Sequence, residues 1–238
     1  MTCVRAPGSS ANLGPGFDVL GIALSRHVWI GDDGIGRPCP ADDPAAVAHR
    51  LAGGRGPIWI DTNLPPGRGL GFSAAMRAAA AVLAGVQDGL AVEPARDRAY
   101  PLVAELEGHA DNAAPAVYGG LQLVADDQPL RLDVHPPGTI LLWVPDIETS
   151  TDGSRRILPD QVDRADAVFN LGRVALLVAA LHRGDPELLR RGTEDRLHQP
   201  QRLAACAPAR AAMEAALDHG AAGAWLSGSG PSVAMIVA

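Results

Sequence analysis

A glycine-rich loop that leads into an alanine-rich segment limits the possible folds of this chain more than any other feature. The loop, residues 64–76, carries glycines at alternate positions, and residues 74–83 have the periodicity and propensity of a helix. Glycines leave backbone N–H groups uncovered, and the helix behind them offers its positive N-terminus. The pattern predicts a phosphate site. Because similar loops also serve as plain turns, these residues alone leave both interpretations open.

The composition indicates a soluble globular protein and argues against some partners. The chain has 238 residues, 47% hydrophobic and 20% charged, so it can bury a core as one domain or two lobes. A net charge of -7 argues against nucleic acid as a partner. The N-terminus has no apolar signal segment, and the longest apolar run, residues 174–181, is too short to cross a bilayer. We therefore expect a cytoplasmic protein with no membrane partner.

All twenty basic residues are arginine, which excludes the commonest kind of phosphate loop. Without lysine there is no G-x-x-x-x-G-K-[ST] loop, no protein-kinase strand lysine and no lysine Schiff base. A phosphate would be held instead by backbone dipoles, hydroxyl groups, Arg68 and a metal ion. The three cysteines lack metal-ligand spacing, which indicates scattered thiols rather than a disulfide frame or a zinc site.

Apolar periodicity predicts a mixed chain of strands and helices. The predicted strands cover residues 2–6, 21–32, 57–61, 119–125, 130–134 and 139–144, and two more flank the glycine-rich turn 227–231. The three strands between 119 and 144 are expected to share an antiparallel sheet. The predicted helices cover residues 44–52, 74–83, 94–106, 160–183, 187–198 and 208–219. The expected core stripe of the 160–183 helix consists of Phe169, Val174, Leu177, Val178 and Leu181.

A dense group of polar residues follows the 94–106 helix. Glu107, His109, Asp111 and Asn112 fall within six residues. Carboxylates at this density suggest a magnesium ligand and a group that handles a hydroxyl proton. Capping of the next helix by Asp111 or Asn112 is the alternative, but it explains only one of the four.

Two predicted loops carry further polar groups. Asn12 and Asp18 lie in the loop 7–18, next to a strand boundary, where binding groups often lie. The loop 145–159 holds Thr151, Arg155 and Arg156, and two arginines in a loop are more often part of a solvated surface. The turn 227–231 either supports the first glycine loop against an anion or is only a hairpin.

These segments, in this order, resemble the motifs of the GHMP kinase superfamily and, in detail, of its homoserine kinase branch. Residues 7–18, 64–76 and 226–233 are similar to the three superfamily motifs. Residues 107–115, 150–159, 168–171 and 194–200 are similar to the homoserine kinase branch specifically. The resemblance covers nearly the whole chain except residues 31–56.

The resemblance implies an α+β protein with the GHMP kinase fold. Residues 1–138 would form an N-terminal lobe like ribosomal protein S5 domain 2, and residues 139–238 a ferredoxin-like α/β lobe that is truncated at its C-terminus. ATP would lie along the glycine loop with Mg²⁺, and its γ-phosphoryl group would pass to the hydroxyl of L-homoserine. A small amino-acid substrate and a homodimer are the implied partners. Phosphoryl transfer depends mainly on positioning and charge neutralisation, which suits the polar groups above.

The resemblance also implies roles for individual residues. Ser73 and Glu107 would hold magnesium, and the catalytic residues would be Asp111, Glu107 and Arg155, with Asp111 accepting the hydroxyl proton. Arg155 and Arg202 would clamp a carboxylate or phosphate, which an arginine fork grips bidentately. The implied substrate-binding residues are Asn12, Asp18, His109, Asn112, Thr151 and Arg202. The implied nucleotide- and phosphate-binding residues are Gly67, Arg68, Gly69, Gly71, Ser73, Ser227 and Gly228.

Three departures from the family pattern keep a second function open. Phe72 stands where the second motif usually has a serine, and residues 42–47 lack the asparagine expected at the helix that covers adenine. The sequence ends at Ala238, where relatives continue with a helix and a strand, and an open strand edge would need cover from a dimer partner. The alternative is a repurposed homologue that does not use ATP. It would bind or act on a homoserine-like or O-phosphorylated amino acid, as a lyase-type enzyme or a binding protein.

Overall fold

The alanine-rich helix after the glycine loop is present and is longer than predicted. In the computed structural model, which describes residues 1–237, this helix is α2 (Phe72–Gln87), and most of its residues are buried. It packs against three neighbouring helices, α1 (Pro44–Leu51), α3 (Val92–Glu107) and α4 (Ala110–Tyr118). Small side chains allow this close approach, since a Cβ at Gly85 would lie 2.9 Å from the Cβ of Ala95.

The first sheet has six strands, and β2 pairs with three of them. Its strands are β1 (Cys3–Ala11), β2 (Leu20–Gly31), β3 (Arg37–Pro38), β4 (Trp59–Thr62), β5 (Leu121–Ala125) and β6 (Gln128–Leu132). The strand order is β3-β4-β2-β5-β6, with β1 paired to β2. The β2 and β4 pair is antiparallel, with Val28 opposite Thr62 and Gly31 opposite Trp59.

The second sheet is antiparallel, with strand order β7-β9-β8. It consists of β7 (Thr139–Trp143), β8 (Gly223–Leu226) and β9 (Val233–Val237). The later helices are α5 (Thr151–Arg156), α6 (Arg164–Arg183), α7 (Pro186–Gly192), α8 (Gln199–Ala204) and α9 (Ala207–Asp218). Met213 of α9 packs with Leu226 and Val233 in a small apolar core.

The described residues group into two compact units that are not consecutive stretches of chain. The first unit comprises Met1–Ser9, Gly21–Pro66 and Gly71–Arg131. The second comprises Ser10–Leu20, Gly67–Leu70 and Leu132–Ala238. Two short segments that precede residue 131 therefore belong to the second unit, whereas the sequence suggested one division at residue 138.

The structure corrects several predicted boundaries. Strand β1 continues to Ala11, into the predicted 7–18 loop, and the predicted 145–159 loop contains the short helix α5. The 187–198 helix was wrong because α7 ends at Gly192, and residues 199–202 belong to α8. Strand β7 lies in the second sheet, so the expected single sheet of residues 119–144 was also wrong.

Helix α6 differs from its prediction in which of its residues are buried and in the length of its apolar segment. Leu177 and Leu181 are buried, but Phe169, Val174 and Val178 are only partly buried, so the predicted stripe is correct at two of its five positions. Among residues 1–237, α6 is the one helix long and apolar enough to cross a membrane by length and composition alone. Core helices of soluble proteins meet the same criterion.

Candidate functional site

In the second unit, the glycine loop is held by the turn between β8 and β9. Gly67 and Gly69 have φ values of 65° and 68°, the left-handed region that glycine favours. The hydroxyl Oγ of Ser227 lies 2.7 Å from the carbonyl oxygen of Gly69, to which it donates. A Cβ on Gly69 would overlap the Ser227 carbonyl oxygen and lie 2.6 Å from that of Gly230. The turn therefore supports the loop by direct backbone contact, and only glycine fits there.

Two more bonds fix the neighbourhood of this loop. The backbone N–H of Gly228 donates to the carbonyl oxygen of Ala11 at 3.1 Å. The Nη1 atom of Arg68 lies 3.2 Å from Oε1 of Glu148, so a carboxylate partly neutralises the one cation within the loop. An anion at this loop would therefore depend chiefly on backbone N–H groups.

In the first unit, α2 begins without a side-chain cap. Gly71 precedes the helix with φ 64°, and a Cβ there would overlap the hydroxyl of Ser9. No side chain among the described residues caps this helix end, so its first N–H groups remain available. Phe72 is the first helical residue and is partly exposed.

Arg77 lies between the two residues that the sequence suggested as magnesium ligands. Its Nη1 atom donates to the hydroxyl of Ser73 at 2.5 Å and also to the carboxylate of Glu107. Burial raises the pKa of Glu107, while the charge of Arg77 and a hydrogen bond from Ser73 act against that rise. Hydroxyl and carboxylate oxygens suit Mg²⁺, but a guanidinium nitrogen occupies the position that they share. In this arrangement the pair does not fit a magnesium ion.

The first turn of α4 carries the buried carboxylate suggested as the proton acceptor. Asp111 is 2% exposed, and Nδ2 of Asn112 lies 3.4 Å from its Oδ1. The hydroxyl of Ser9 donates to Oδ1 of Asn112 at 2.9 Å. The N-cap residue of α4 is His109, which makes no side-chain cap bond. Capping by Asp111 or Asn112 was therefore wrong, because both residues lie inside the helix.

Asn12 organises the loop that follows β1 in the second unit. Its side chain is buried, its Nδ2 donates to the Gly228 carbonyl oxygen at 2.9 Å, and its Oδ1 accepts from the backbone N–H of Asp18 at 3.1 Å. Asn12, Leu13 and Asp18 all have positive φ, at 72°, 48° and 59°. Three non-glycine residues in this conformation are unusual, and such strain is often found at functional sites.

The ring of Phe17 brings two of the predicted arginines together in the same unit. The guanidinium carbon atoms of Arg155 and Arg202 lie 5.4 and 5.3 Å from the ring centroid. On α5, Arg155 directs Nη2 at both carboxylate oxygens of Asp18, at 2.7 and 2.8 Å. Arg202 is buried and donates to the carbonyl oxygens of Gly228 and Ser154, both at 3.3 Å. Two guanidinium groups therefore lie near one aromatic ring, and one of them is paired with a carboxylate.

The imidazole of His198 stacks on Phe17 and fixes Arg202. The two rings are 4.9 Å apart at an interplanar angle of 22°. Nε2 lies 2.8 Å from the Gly14 carbonyl oxygen, which can only accept, so the proton is on Nε2. Nδ1 lies 3.1 Å from Nη1 of Arg202, which can only donate, so Nδ1 accepts. This neutral form agrees with burial, which lowers the pKa of His198.

Comparison with known proteins decides the family. The model of the GHMP kinases N terminal domain matches residues 37–120, and the GHMP kinases C terminal model matches residues 177–238. Homoserine kinase from Desulfitobacterium hafniense is 37% identical over 267 residues, covering 100% of this chain and 87% of that protein. Homoserine kinase from Moorella thermoacetica is 40% identical over 257 residues, covering 98% of this chain and 86% of that protein. This chain belongs to the homoserine kinase branch of the GHMP kinases.

The fold of this GHMP kinase agrees with that assignment. The crystal structure of homoserine kinase from Cytophaga hutchinsonii matches with a TM-score of 0.83 and 30% identity. The match covers 100% of this chain and 85% of that one. The expected GHMP kinase fold and the expectation of a homoserine kinase-like phosphotransferase are confirmed.

The predicted site residues of this GHMP kinase fall into separate groups within each unit. The first unit holds Gly71, Ser73, Glu107, His109, Asp111 and Asn112. The second holds Asn12, Asp18, Gly67, Arg68, Gly69, Thr151, Arg155, Arg202, Ser227 and Gly228. Thr151 is the first residue of α5 and is exposed, and among the described residues its side chain makes no hydrogen bond with this group.

Sequence reasoning missed three residues that the structure brings into these groups. Arg77 is four residues after Ser73, one turn along the same helix face, and that spacing was a usable signal. His198 stands in the segment 194–200 that resembled the homoserine kinase branch, but it received no role. Phe17 lies in the loop 7–18, but nothing in the sequence distinguishes it from a phenylalanine that only packs in a loop.

Proposed function

We propose that this chain transfers the γ-phosphoryl group of ATP to the side-chain hydroxyl of L-homoserine. The observation that carries the proposal is the group formed by Asp18, Arg155 and Arg202 around Phe17. A free amino acid presents an ammonium and a carboxylate together, and this group offers a carboxylate and two guanidinium groups. An arginine fork binds a carboxylate in two parallel hydrogen bonds, which gives orientation as well as affinity.

The substrate-binding and proton-accepting residues keep their predicted roles in the proposed reaction, whereas Ser73 and Glu107 do not hold magnesium in it. Arg202 binds the substrate carboxylate, and Arg155 turns from Asp18 towards the substrate or the transferred phosphoryl group. Asp111 accepts the hydroxyl proton, and its burial keeps that carboxylate away from bulk water. A phosphoryl-transfer transition state needs positioning more than a strong base. The remaining proposed substrate contacts are Asn12, His109, Asn112 and Thr151.

ATP is the proposed phosphoryl donor because the glycine loop and the N-terminus of α2 each offer backbone N–H groups suited to phosphate. The glycine loop at Gly67 and Gly69 has left-handed backbone, and the N-terminus of α2 has no side-chain cap. We propose that magnesium arrives with the nucleotide, where it would neutralise phosphate charge. Arg68, Gly71, Ser73, Ser227 and Gly228 complete the proposed phosphate-binding set.

The cellular setting is part of the same proposal. We place the protein in the cytoplasm, with an N-terminal lobe of residues 1–138, a C-terminal lobe of residues 139–238 and a homodimer as its assembly. Val168 and Leu171 on α6 are 62% and 71% exposed, which gives a partner copy apolar surface to cover. Sedimentation of the wild-type protein and of Leu171→Glu tests the dimer, and a dimeric variant would remove α6 from the interface.

An assay of ADP release tests the reaction. With ATP, magnesium and L-homoserine the purified protein should release ADP, and L-serine should be a poorer acceptor. Asp111→Asn should lower kcat with little change in the homoserine KM. Binding of homoserine or its phosphate in calorimetry, without ATP binding or ADP release, would instead support the homologue that does not use ATP.

A further inference from the structure

The cation that pairs with the Glu107 carboxylate and contacts the Ser73 hydroxyl is the side chain of Arg77. Arg77 and Glu107 have side-chain exposures of 21% and 12%, so the contact is shielded from solvent. One atom, Nη1 of Arg77, serves both the hydroxyl and the carboxylate. Ser73 and Glu107 are thereby joined through a single guanidinium nitrogen within the first unit.

A divalent cation and this guanidinium cannot share the same position. A magnesium ion lies about 2.0–2.1 Å from each oxygen ligand, so an ion on the Ser73 and Glu107 oxygens would overlap Nη1. If Arg77 only moved aside, its positive charge would still lie beside the ion in a poorly solvated site, and like charges there repel. The ion must therefore expel Arg77 from the site before the two oxygens can bind it.

Arg77 also keeps donors that the protein does not use. Of its guanidinium nitrogens only Nη1 has a hydrogen-bond partner among the described residues, so Nε and Nη2 remain for another acceptor. The residue lies one helical turn after Ser73, about 6 Å along α2 from the first turn of the helix. A guanidinium with two spare donors near a helix N-terminus suits a phosphate oxygen.

We propose that Arg77 takes the place of a protein-bound divalent cation at Ser73 and Glu107 and supplies the positive charge of this site to the nucleotide phosphates. The identity of the anion rests on the proposed function, whereas the exclusion of a metal ion from these two oxygens does not. Magnesium then reaches the protein only on the nucleotide.

Titration with Mn²⁺ in the absence of nucleotide, followed by electron paramagnetic resonance, tests the exclusion directly. The wild-type protein should bind Mn²⁺ only weakly at this site. Arg77→Met should bind at least about tenfold more tightly, a change of about 1.4 kcal/mol, because the two oxygens become available. Adding Glu107→Gln to Arg77→Met should remove the gain.

Matched variants keep the result interpretable. Arg98→Met removes another arginine of the first unit that pairs with a carboxylate, Asp88 at 2.7 Å, and it should behave like the wild-type protein. Circular dichroism checks folding, and Arg77→Gln replaces Arg77→Met if the latter does not fold. Wild-type binding of Mn²⁺ that is as tight as in Arg77→Met and is lost in Glu107→Gln would overturn the proposal. A folded Arg77 variant with no gain would overturn it too.

A second measurement tests the role of Arg77 in phosphate binding without relying on the phosphoryl-transfer reaction. Binding of ADP in the presence of EDTA should persist in the wild-type protein and weaken about tenfold in Arg77→Met. ADP binding that needs a divalent cation in the wild-type protein would contradict the role of Arg77 towards phosphate. A protein that binds no nucleotide at all would end the kinase proposal, yet the Mn²⁺ titration would still decide whether Arg77 excludes the ion.

Discussion

The Nη2 atom of Arg155 lies 2.7 Å from Oδ1 and 2.8 Å from Oδ2 of Asp18. Both side chains are substantially exposed, at 45% and 40%, so water and salt screen the pair. Exposed ion pairs of this kind contribute about 0–1 kcal/mol to the free energy of unfolding. The pair therefore holds the arginine in place before substrate arrives and contributes little to the stability of the fold.

Replacement of Asp18 should affect substrate affinity far more than stability. In Asp18→Asn the arginine loses its charged partner and the site loses a carboxylate for the substrate ammonium. We expect the KM for L-homoserine to rise about tenfold, with a stability change below about 1 kcal/mol. Steady-state kinetics and urea unfolding measure the two effects.

A matched ion pair in the same unit provides the control for Asp18. Arg196 and Asp166 lie 3.1 Å apart with side-chain exposures of 50% and 39%. Asp166→Asn should leave both KM and stability nearly unchanged. Equal kinetic effects from the two variants would mean that Asp18 has no special role in binding.

Phe17 should be needed for the geometry of both arginines. Phe17→Ala removes the ring below Arg155 and Arg202 and the surface on which His198 stacks. Each cation–π contact contributes about 0.5–2 kcal/mol, so we expect the homoserine KM to rise at least about tenfold. Phe17→Tyr should retain most of the activity because it keeps the ring face.

Phe169 supplies the control for that variant. Its ring lies 4.1 Å from the guanidinium carbon of Arg173 and 3.9 Å from that of Arg196, so Phe169→Ala also removes two cation–π contacts. Thermal unfolding should show a similar small loss of stability in both variants. Only Phe17→Ala should change KM. An equal change in Phe169→Ala would mean that the effect comes from a general loss of stability and not from the position of Phe17.

Local patterns in the sequence predicted the elements that are determined by the propensity and periodicity of their own residues. Helix α2 was found because its alanines favour a helix, and β2 because its apolar residues alternate. The extension of β1 was not visible, since Ser10 is a polar residue buried in that strand. It accepts a hydrogen bond from Nε1 of Trp225 at 2.9 Å, and a partner 215 residues away leaves no local signal.

Of the site, the sequence could predict only the residues that belong to recognisable motifs. Asn12 and Asp18 were predicted from their loop and from resemblance, but the Phe17 ring that lies near both arginines was not. The glycine at the end of α7 also has a tertiary reason. A Cβ at Gly192 would lie 2.9 Å from Cα of Leu177, so the chain needs glycine to approach α6 there. The apolar pattern of a single helix does not predict where a second helix will pack closely against it.

Gly69 should tolerate no side chain, because its left-handed backbone lies against the turn after β8. In Gly69→Ala the added Cβ would overlap the Ser227 carbonyl oxygen, so the glycine loop must move. We expect nucleotide binding to fall at least about tenfold and stability to fall by more than the 1–2 kcal/mol, roughly, that left-handed alanine costs alone. Calorimetry with nucleotide and urea unfolding measure these changes.

A variant of Gly89 provides the control, because it introduces left-handed backbone strain without a steric clash. It has φ 88°, and a Cβ there would meet no atom within 4 Å. Gly89→Ala should therefore show the left-handed strain alone, about 1–2 kcal/mol, with nucleotide binding unchanged. Equal losses in both variants would show that the contact between Gly69 and the turn is unimportant.

His198 should make the fold less stable as the pH falls below about 6.5, the ordinary pKa of histidine. Burial lowers its pKa in the folded protein, so in that range the unfolded chain binds more protons and stability rises with pH. One such group contributes at most about 1.4 kcal/mol per pH unit. His198→Gln should reduce this slope in urea unfolding. It should not abolish the slope, since burial also lowers the pKa of His27. The exposed His219 is the control, and an equal loss of slope in His219→Gln would contradict the neutral, buried state of His198.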